Sequence, residues 1–216
     1  MSQKRFLEAL ILDFGGVLYP IDYDAPVRSF QALGFSNFES FYHKSNQHSW
    51  FDELEVGRME PDVFLESLRG HCRKGTQLEE VVTAWNSILL RMPAGRVEAV
   101  QALGAACRLF LFSNTNAIHA SEFELRMEED RILGPFRDGF EAIHYSHELG
   151  YRKPHPASFK ALCELHGLNP QRTGFVDDSI QHVEGARRAG LHAVHYHPAM
   201  GFDLEEALRR AGWMFS

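Results

Sequence analysis

No stretch of this 216-residue chain approaches the roughly 18 consecutive apolar residues that a membrane-spanning helix needs, so no membrane partner is expected. The N-terminus is basic, but the apolar run behind it, Ala9 to Leu12, is cut short by Asp13, which suits a core strand rather than a signal sequence. Cysteine is scarce as well. Cys72, Cys107 and Cys163 are odd in number and far apart, which excludes a disulfide framework and a metal-binding cysteine spacing and points to a reducing cytoplasm. Positive charge is outnumbered, with 22 Lys and Arg against 29 Asp and Glu and a net charge of −7. That balance excludes a general nucleic-acid or anionic-membrane binder, both of which need a positive field, while leaving room for a local basic pocket for a small anion. Internal repeats and low-complexity tracts are also missing.

What is present is an ordinary globular composition, 44% apolar and 24% charged, in a chain long enough for one full domain and a small accessory one. Five short apolar runs read as strands: Ala9–Asp13, Arg108–Ser113, Glu141–Tyr145, Gly174–Asp177 and His192–Tyr196. Several are apolar throughout, as strands of a parallel sheet buried on both faces are. Helical patterns lie between them, at Gly95–Gly104, at Pro156–His166 with Gly167 as its stop, and at Ser179–Ala189 behind a capping serine. Alternating strands and helices predict an α/β fold, a Rossmann-like doubly wound parallel sheet.

From about Pro20 to Met92 that rhythm stops. Apolar residues there fall at helical spacing, as in Val63, Phe64, Leu65 and Leu68, or Leu78, Val81, Val82, Trp85, Ile88 and Leu89. Phe41, Tyr42, Trp50 and Phe51 read as core of the same segment. The expected organisation is an α/β core built from 1–19 and 93–216, with 20–92 inserted as an all-helical domain of about four helices. Ligands of such sheets bind beyond the carboxyl ends of the strands, so an insert leaving from the first strand would cover the site.

Four strand-end elements carry the chemistry: Asp13, Ser113-Asn114-Thr115-Asn116, Arg152-Lys153-Pro154 and Asp177-Asp178-Ser179. A parallel sheet gathers them at one edge, placing three carboxylates, an ammonium and a hydroxyl in one crevice. Crowded carboxylates resist ionising unless a cation joins them. Lys153 supplies one charge, and a hard divalent cation such as Mg²⁺ suits the remaining all-oxygen donors. The chemistry implied is phosphoryl transfer to Asp13, with metal and lysine neutralising the phosphoryl oxygens.

This ordered set resembles the haloacid dehalogenase-like (HAD) hydrolase superfamily over nearly the whole chain, from Leu10 to about His197. The resemblance implies that Asp13 is a nucleophile forming an aspartyl-phosphate. It implies that Ser113 and the backbone N–H of Asn114 bind the phosphoryl group, and that Lys153 holds nucleophile and phosphate together. Asp13, the carbonyl of Gly15, Asp177 and Asp178 are the implied magnesium ligands, and the helical insert is the implied small cap. Within the superfamily the chain looks most like bacterial sugar-phosphate phosphatases with Gly at the position of Gly15, glucose-1-phosphate phosphatases among them. The expected activity is therefore a Mg²⁺-dependent phosphatase of a small phosphorylated metabolite.

Two departures qualify the pattern. Most such phosphatases carry an aspartate where Gly15 stands, to protonate the leaving alcohol and later activate water. Asp22, Asp24 and His119 are the candidates to replace it. His182 stands where the family often has Asp or Asn, close to the metal motif. A glycine at position 15 also keeps two alternatives open: a 2-haloacid dehalogenase, whose aspartate attacks carbon, and a phospho-ligand-binding protein with little turnover. His192, His195 and His197 match no zinc signature and read as strand-end surface histidines, with His144 and His147 as lesser candidates for the site's rim. Arg187 and Arg188 read as a solvated helix face.

Overall fold

The computed structural model of the chain describes residues 4–42 and 49–215. Among these, the apolar runs become strands within a residue or so of the expected limits. Strand β1 (Arg5–Leu7) leads into β2 (Ala9–Leu12), after which the chain leaves the sheet for five helices. These are α1 (Asp24–Ala32), α2 (Phe38–Phe41), α3 (Ser49–Glu55), α4 (Pro61–Arg69) and α5 (Leu78–Asn86). It returns through α6 (Arg96–Ala106), β3 (Arg108–Ser113), α7 (Ala117–Glu129), α8 (Leu133–Arg137) and β4 (Ala142–Tyr145). Then follow α9 (Ser146–Leu149), α10 (Pro156–His166), β5 (Thr173–Asp177), α11 (Ile180–Arg188), β6 (His192–His195), α12 (Leu204–Arg210) and β7 (Trp213–Phe215).

The main sheet has five parallel strands in the order β4-β3-β2-β5-β6. The alternation of side chains along each strand explains the layers. Leu10 and Leu12 of β2, Leu109 and Leu111 of β3 and Val176 of β5 face one core with Val100 of α6, Phe123 of α7, Phe136 of α8 and Leu208 of α12. Ala9, Ile11, Phe110, Phe112 and Phe175 face the other, against Phe159 and Leu162 of α10 and Val183 and Ala186 of α11. A one-residue slip in β2 would exchange these faces, so the register Leu12↔Leu111 and Leu12↔Val176 is strongly fixed. It also fixes where Asp13 stands, one residue past the end of the central strand. A separate parallel pair, β1 with β7, was not legible as strand: each is three residues long.

The insert has its own core. Phe30, Phe35, Phe38, Phe51, Phe64, Leu68, Val81 and Trp85 are buried together, each worth about 1.5–3 kcal/mol on removal from water. The helical reading between residues 43 and 48 lies outside the described residues. Ile88 and Leu89, which continue the spacing of α5 in the sequence, lie beyond its end. Leu89 instead bridges Ile21 in antiparallel fashion, with Asp22 N donating to Ile88 O (2.8 Å) and Leu90 N to Pro20 O (3.2 Å). The outgoing and returning connections therefore run side by side.

Candidate active site

The carboxyl ends of β2, β3 and β5 and the loop after α9 meet at one cavity of about 490 Å³, closed above by the insert. The cavity is bordered by Asp13, Gly15, Ser113, Asn114, Arg152 and Asp178 from the core and by Tyr23, Tyr42, Glu55 and Trp85 from the insert. Behind it, Lys153 is fully buried. Its Nζ donates to Asp13 Oδ1 (2.6 Å) and to Asp177 Oδ2 (2.7 Å), and it lies over the rings of Phe112 and Phe175, 5.5 Å and 5.3 Å from their centroids.

An ammonium in so apolar a seat is costly unless its hydrogen bonds are all to charge. Burial works to lower the Lys153 pKa, and Asp13 and Asp177 overcome it and hold the group above the ordinary lysine range. Asp177 is pushed up by burial, but Lys153 and His182 prevail and keep it below the ordinary carboxylate range. Asp13 differs: burial, with Asp177 beside it, drives its carboxyl well above the usual range against the pull of Lys153. One lysine does not balance this much negative charge. Oxygens of Asp13, Asp177 and Asp178 lie within 4.8 Å of one another, a donor set that fits a hard divalent cation.

The oxygens are not equally available. Asp177 accepts from Lys153, from the backbone N–H of Ser179 (2.8 Å) and from His182 Nδ1 at 2.9 and 3.0 Å. His182 is thus an orienting partner of Asp177. The serine side chain expected to cap α11 makes no cap hydrogen bond, and Asp177 takes the Ser179 N–H instead. Asp178 reaches the cavity past Gly16, whose φ is +81°. A Cβ at Gly16 would stand 2.6 Å from Asp178 Oδ2, so only glycine lets that carboxylate in.

The loop after β3 spends its polar residues on positioning. Asn114 Oδ1 accepts from Lys153 N and its Nδ2 donates to Lys153 O, both at 2.9 Å. Ser146 Oγ accepts from Thr115 N and donates to Thr115 O, both at 3.0 Å. Asn116 caps α7 by accepting from Ile118 N and His119 N, both at 3.1 Å. Ser113 is buried on the cavity wall. These links were not legible in the sequence, since a partner 39 residues away leaves no spacing to read.

None of the candidates for proton transfer stands ready to replace a carboxyl at Gly15. Neither Asp22 nor Asp24 borders the cavity: Asp22 accepts from Arg28 (2.7 Å) and from Asp24 N (2.9 Å) beside the entry of α1. His119 does border it, but its Nδ1 is bonded to Asn86 Oδ1 (2.8 Å) and its ring stacks on Trp85 at 4.7 Å. Burial pushes its pKa down to about 3, so the ring is neutral at ordinary pH, its Nδ1–H is spent on Asn86, and it is not a general acid. His144 pairs with His166, Nε2 to Nε2 at 2.7 Å, away from the site. His195 proves to be at the rim, its Nε2 donating to the carbonyl of Asp178 (2.9 Å). Tyr42 and Phe51 serve both the insert's core and the cavity wall.

Comparison with known proteins agrees with this geometry. A D-ribitol-5-phosphate phosphatase of Bacteroides thetaiotaomicron is 27% identical over 202 residues, 94% of this chain and 97% of its own length. A HAD-family enzyme of the same organism, crystallised as an Asp-to-Ala mutant with magnesium and inorganic phosphate, superposes with a TM-score of 0.83 at 28% identity, over 94% of this chain and 99% of that one. A HAD-like family hydrolase of Porphyromonas gingivalis gives 0.80 at 26% identity, over 95% and 97%. The haloacid dehalogenase-like hydrolase profile matches residues 7–190, which include every one of the strand-end elements above. With its sheet order, its inserted helices and its buried Asp–Lys–Asp cluster beneath the cavity, the chain belongs to the haloacid dehalogenase-like hydrolase family.

Proposed function

We propose that the protein is a magnesium-dependent phosphatase of small phosphate monoesters, sugar phosphates or similar metabolites, that works through an aspartyl-phosphate at Asp13. The observation that carries this reading is the buried Asp13–Lys153–Asp177 cluster with Asp178 beside it, which leaves a carboxylate facing the cavity and more negative charge than one lysine balances. The relatives support the same chemistry, one being a sugar-alcohol phosphate phosphatase and another binding magnesium with phosphate.

Asp13 and Asp178, with the carbonyl of Gly15, are the magnesium ligands in this reading, and Asp177 contributes as the neighbour that Lys153 and His182 hold in place. Bound there, the ion supplies charge stabilisation to the phosphoryl oxygens. Lys153 fixes the Asp13 carboxylate so that its second oxygen meets phosphorus, and Ser113 Oγ and the Asn114 N–H hold the phosphoryl group. The P–O bond to the alcohol breaks as the bond to Asp13 forms. Water then attacks phosphorus, releases inorganic phosphate and restores the carboxylate.

Gly15 brings no carboxyl to protonate the departing alkoxide, Asp22 is paired with Arg28, Asp24 lies off the cavity and His119 is held neutral by burial. Turnover is therefore expected to favour esters whose alcohol leaves without much help. Assay of the purified protein against a phosphate-ester panel, with Mg²⁺ and with EDTA, tests the reading. Hydrolysis that stops with EDTA and is lost in Asp13→Asn supports it, whereas metal-independent turnover or full activity of Asp13→Asn refutes it. Halide release from 2-haloacids in EDTA would turn the assignment to dehalogenation.

A further inference from the structure

Part of the cavity wall, where Arg152 meets the insert, holds buried N–H groups that the protein leaves without a partner. Among the described residues, the buried side-chain polar atoms without a hydrogen-bond partner are Glu55 Oε2, Trp85 Nε1, His147 Nδ1 and Arg152 Nε. Glu55, Trp85 and Arg152 all border the same cavity. Arg152 meets Glu55 Oε2 at 2.9 Å as an ion pair and its other terminal nitrogen meets Asp52, so the described groups at this cavity left without any partner are the Trp85 and Arg152 Nε N–H donors. A buried donor left unmade is costly, so two of them on one cavity call for an occupant that completes them.

The charge on that wall says which occupant. An arginine beside a phosphatase site would ordinarily attract a second anion. Here the single positive charge of Arg152 is already met by two carboxylates, Asp52 and Glu55, so no positive excess remains to offer a carboxylate or a second phosphate. An apolar occupant would suit the rings of Tyr42, Phe51 and Trp85 but would leave the two N–H groups unpaired. A chain of hydroxyls satisfies both, with its C–H faces on the rings and its O–H groups giving to Glu55 and accepting from Trp85 and Arg152.

We infer that Glu55, Arg152 and the Trp85 indole N–H form the leaving-group subsite, and that it selects phosphate monoesters of uncharged, polyhydroxylated alcohols over esters carrying a second anionic group. This rests on the phosphatase reading above and adds the specificity rule and its residues.

A nearly isosteric pair tests it: glycerol 3-phosphate and 3-phosphoglycerate differ by a hydroxymethyl group against a carboxylate. With Mg²⁺ and p-nitrophenyl phosphate as the general probe, the wild type should show kcat/KM at least about tenfold higher for the neutral ester, some 1.4 kcal/mol. Glu55→Gln should shrink that ratio by about tenfold or more, chiefly through KM, because the wall then loses its net negative charge. Trp85→Phe removes the N–H donor together with part of the indole ring, so in the folded variant, at a temperature below its lowered Tm, kcat/KM should fall for the neutral ester. A wild-type ratio at or below one overturns the inference, as does an unchanged ratio in folded Glu55→Gln. If Glu55→Gln does not fold, an unaltered neutral-ester kcat/KM in Trp85→Phe overturns it. Failure of the wild type to turn over p-nitrophenyl phosphate would defeat the phosphatase reading itself, whereas turnover without the ratio defeats the specificity rule alone.

Discussion

Asn114 grips the backbone of Lys153 from both sides, accepting from its N–H and donating to its C=O at 2.9 Å each. The side chain of one motif thereby fixes the main chain of another, and the Lys153 Nζ arrives between Asp13 and Asp177 as a result. The residue thought of as a phosphate ligand through its backbone has a second task through its amide.

Asn114→Ala separates the two tasks, since it keeps the backbone N–H and deletes both amide bonds. Each lost bond is worth about 1 kcal/mol, and kcat should fall about 10- to 100-fold. Steady-state kinetics with a matched Tm measurement checks this. A variant with wild-type kcat would mean that Lys153 needs no such grip.

Gly16→Ala should strike at Asp178. The added methyl would stand 2.6 Å from Asp178 Oδ2, at a backbone φ of +81° that disfavours alanine. Magnesium affinity, read by titration calorimetry, is expected to weaken by about tenfold or more. An unaltered Kd in a folded variant would remove Asp178 from the ligand set.

Gly15→Asp should have the opposite sign. A Cβ there meets only the Ile21 side chain, 3.3 Å from its terminal methyl. The new carboxyl would supply general acid–base help, worth up to about 10² to 10⁴ in rate. The gain should be greatest for alkyl phosphates and small for p-nitrophenyl phosphate, whose alcohol needs no proton to leave. Equal effects on both substrates would show that proton transfer does not limit the native enzyme.

His119 should make the protein acid-sensitive. Its folded pKa, pushed down to about 3 by burial, lies below the 6.5 of a free histidine, so between those values the unfolded chain binds a proton that the folded chain refuses. Stability contributed by the neutral ring is present above about pH 6.5 and is lost as pH falls towards 3. Between pH 7.5 and 5.5 the loss is about 1.4 kcal/mol. Denaturant unfolding of wild type and His119→Gln at both pH values checks it: the substituted protein should lose less on acidification.

The sheet was legible because buried parallel strands are apolar on both faces, and Leu109–Phe112 or Phe175–Val176 announce themselves. The chemistry at the strand ends was legible too, since Asp13, Lys153 and Asp177 each stand at a break in an apolar or helical pattern. Long-range polar pairing was not. Arg152 finds Asp52 and Glu55 some hundred residues earlier, and nothing in the composition of α3 marks Glu55 as a wall of the cavity rather than a solvated helix face. The role of His119 was not legible for the same reason. Whether His119 is a proton donor or a neutral packing residue depends on Asn86 and Trp85, which sit on α5 of the insert.

The antiparallel bridge between Ile21 and Leu89 has a consequence for engineering. It makes the whole run of helices between them a cassette with its two ends already joined. Neighbouring ends are what allows one folding unit to be spliced into a loop of another without straining either. A transplant of residues 21–89 into a related core would carry its own closing bridge and, with Glu55 and Trp85, its own taste in alcohols. It would still depend on the host for an arginine in the place of Arg152.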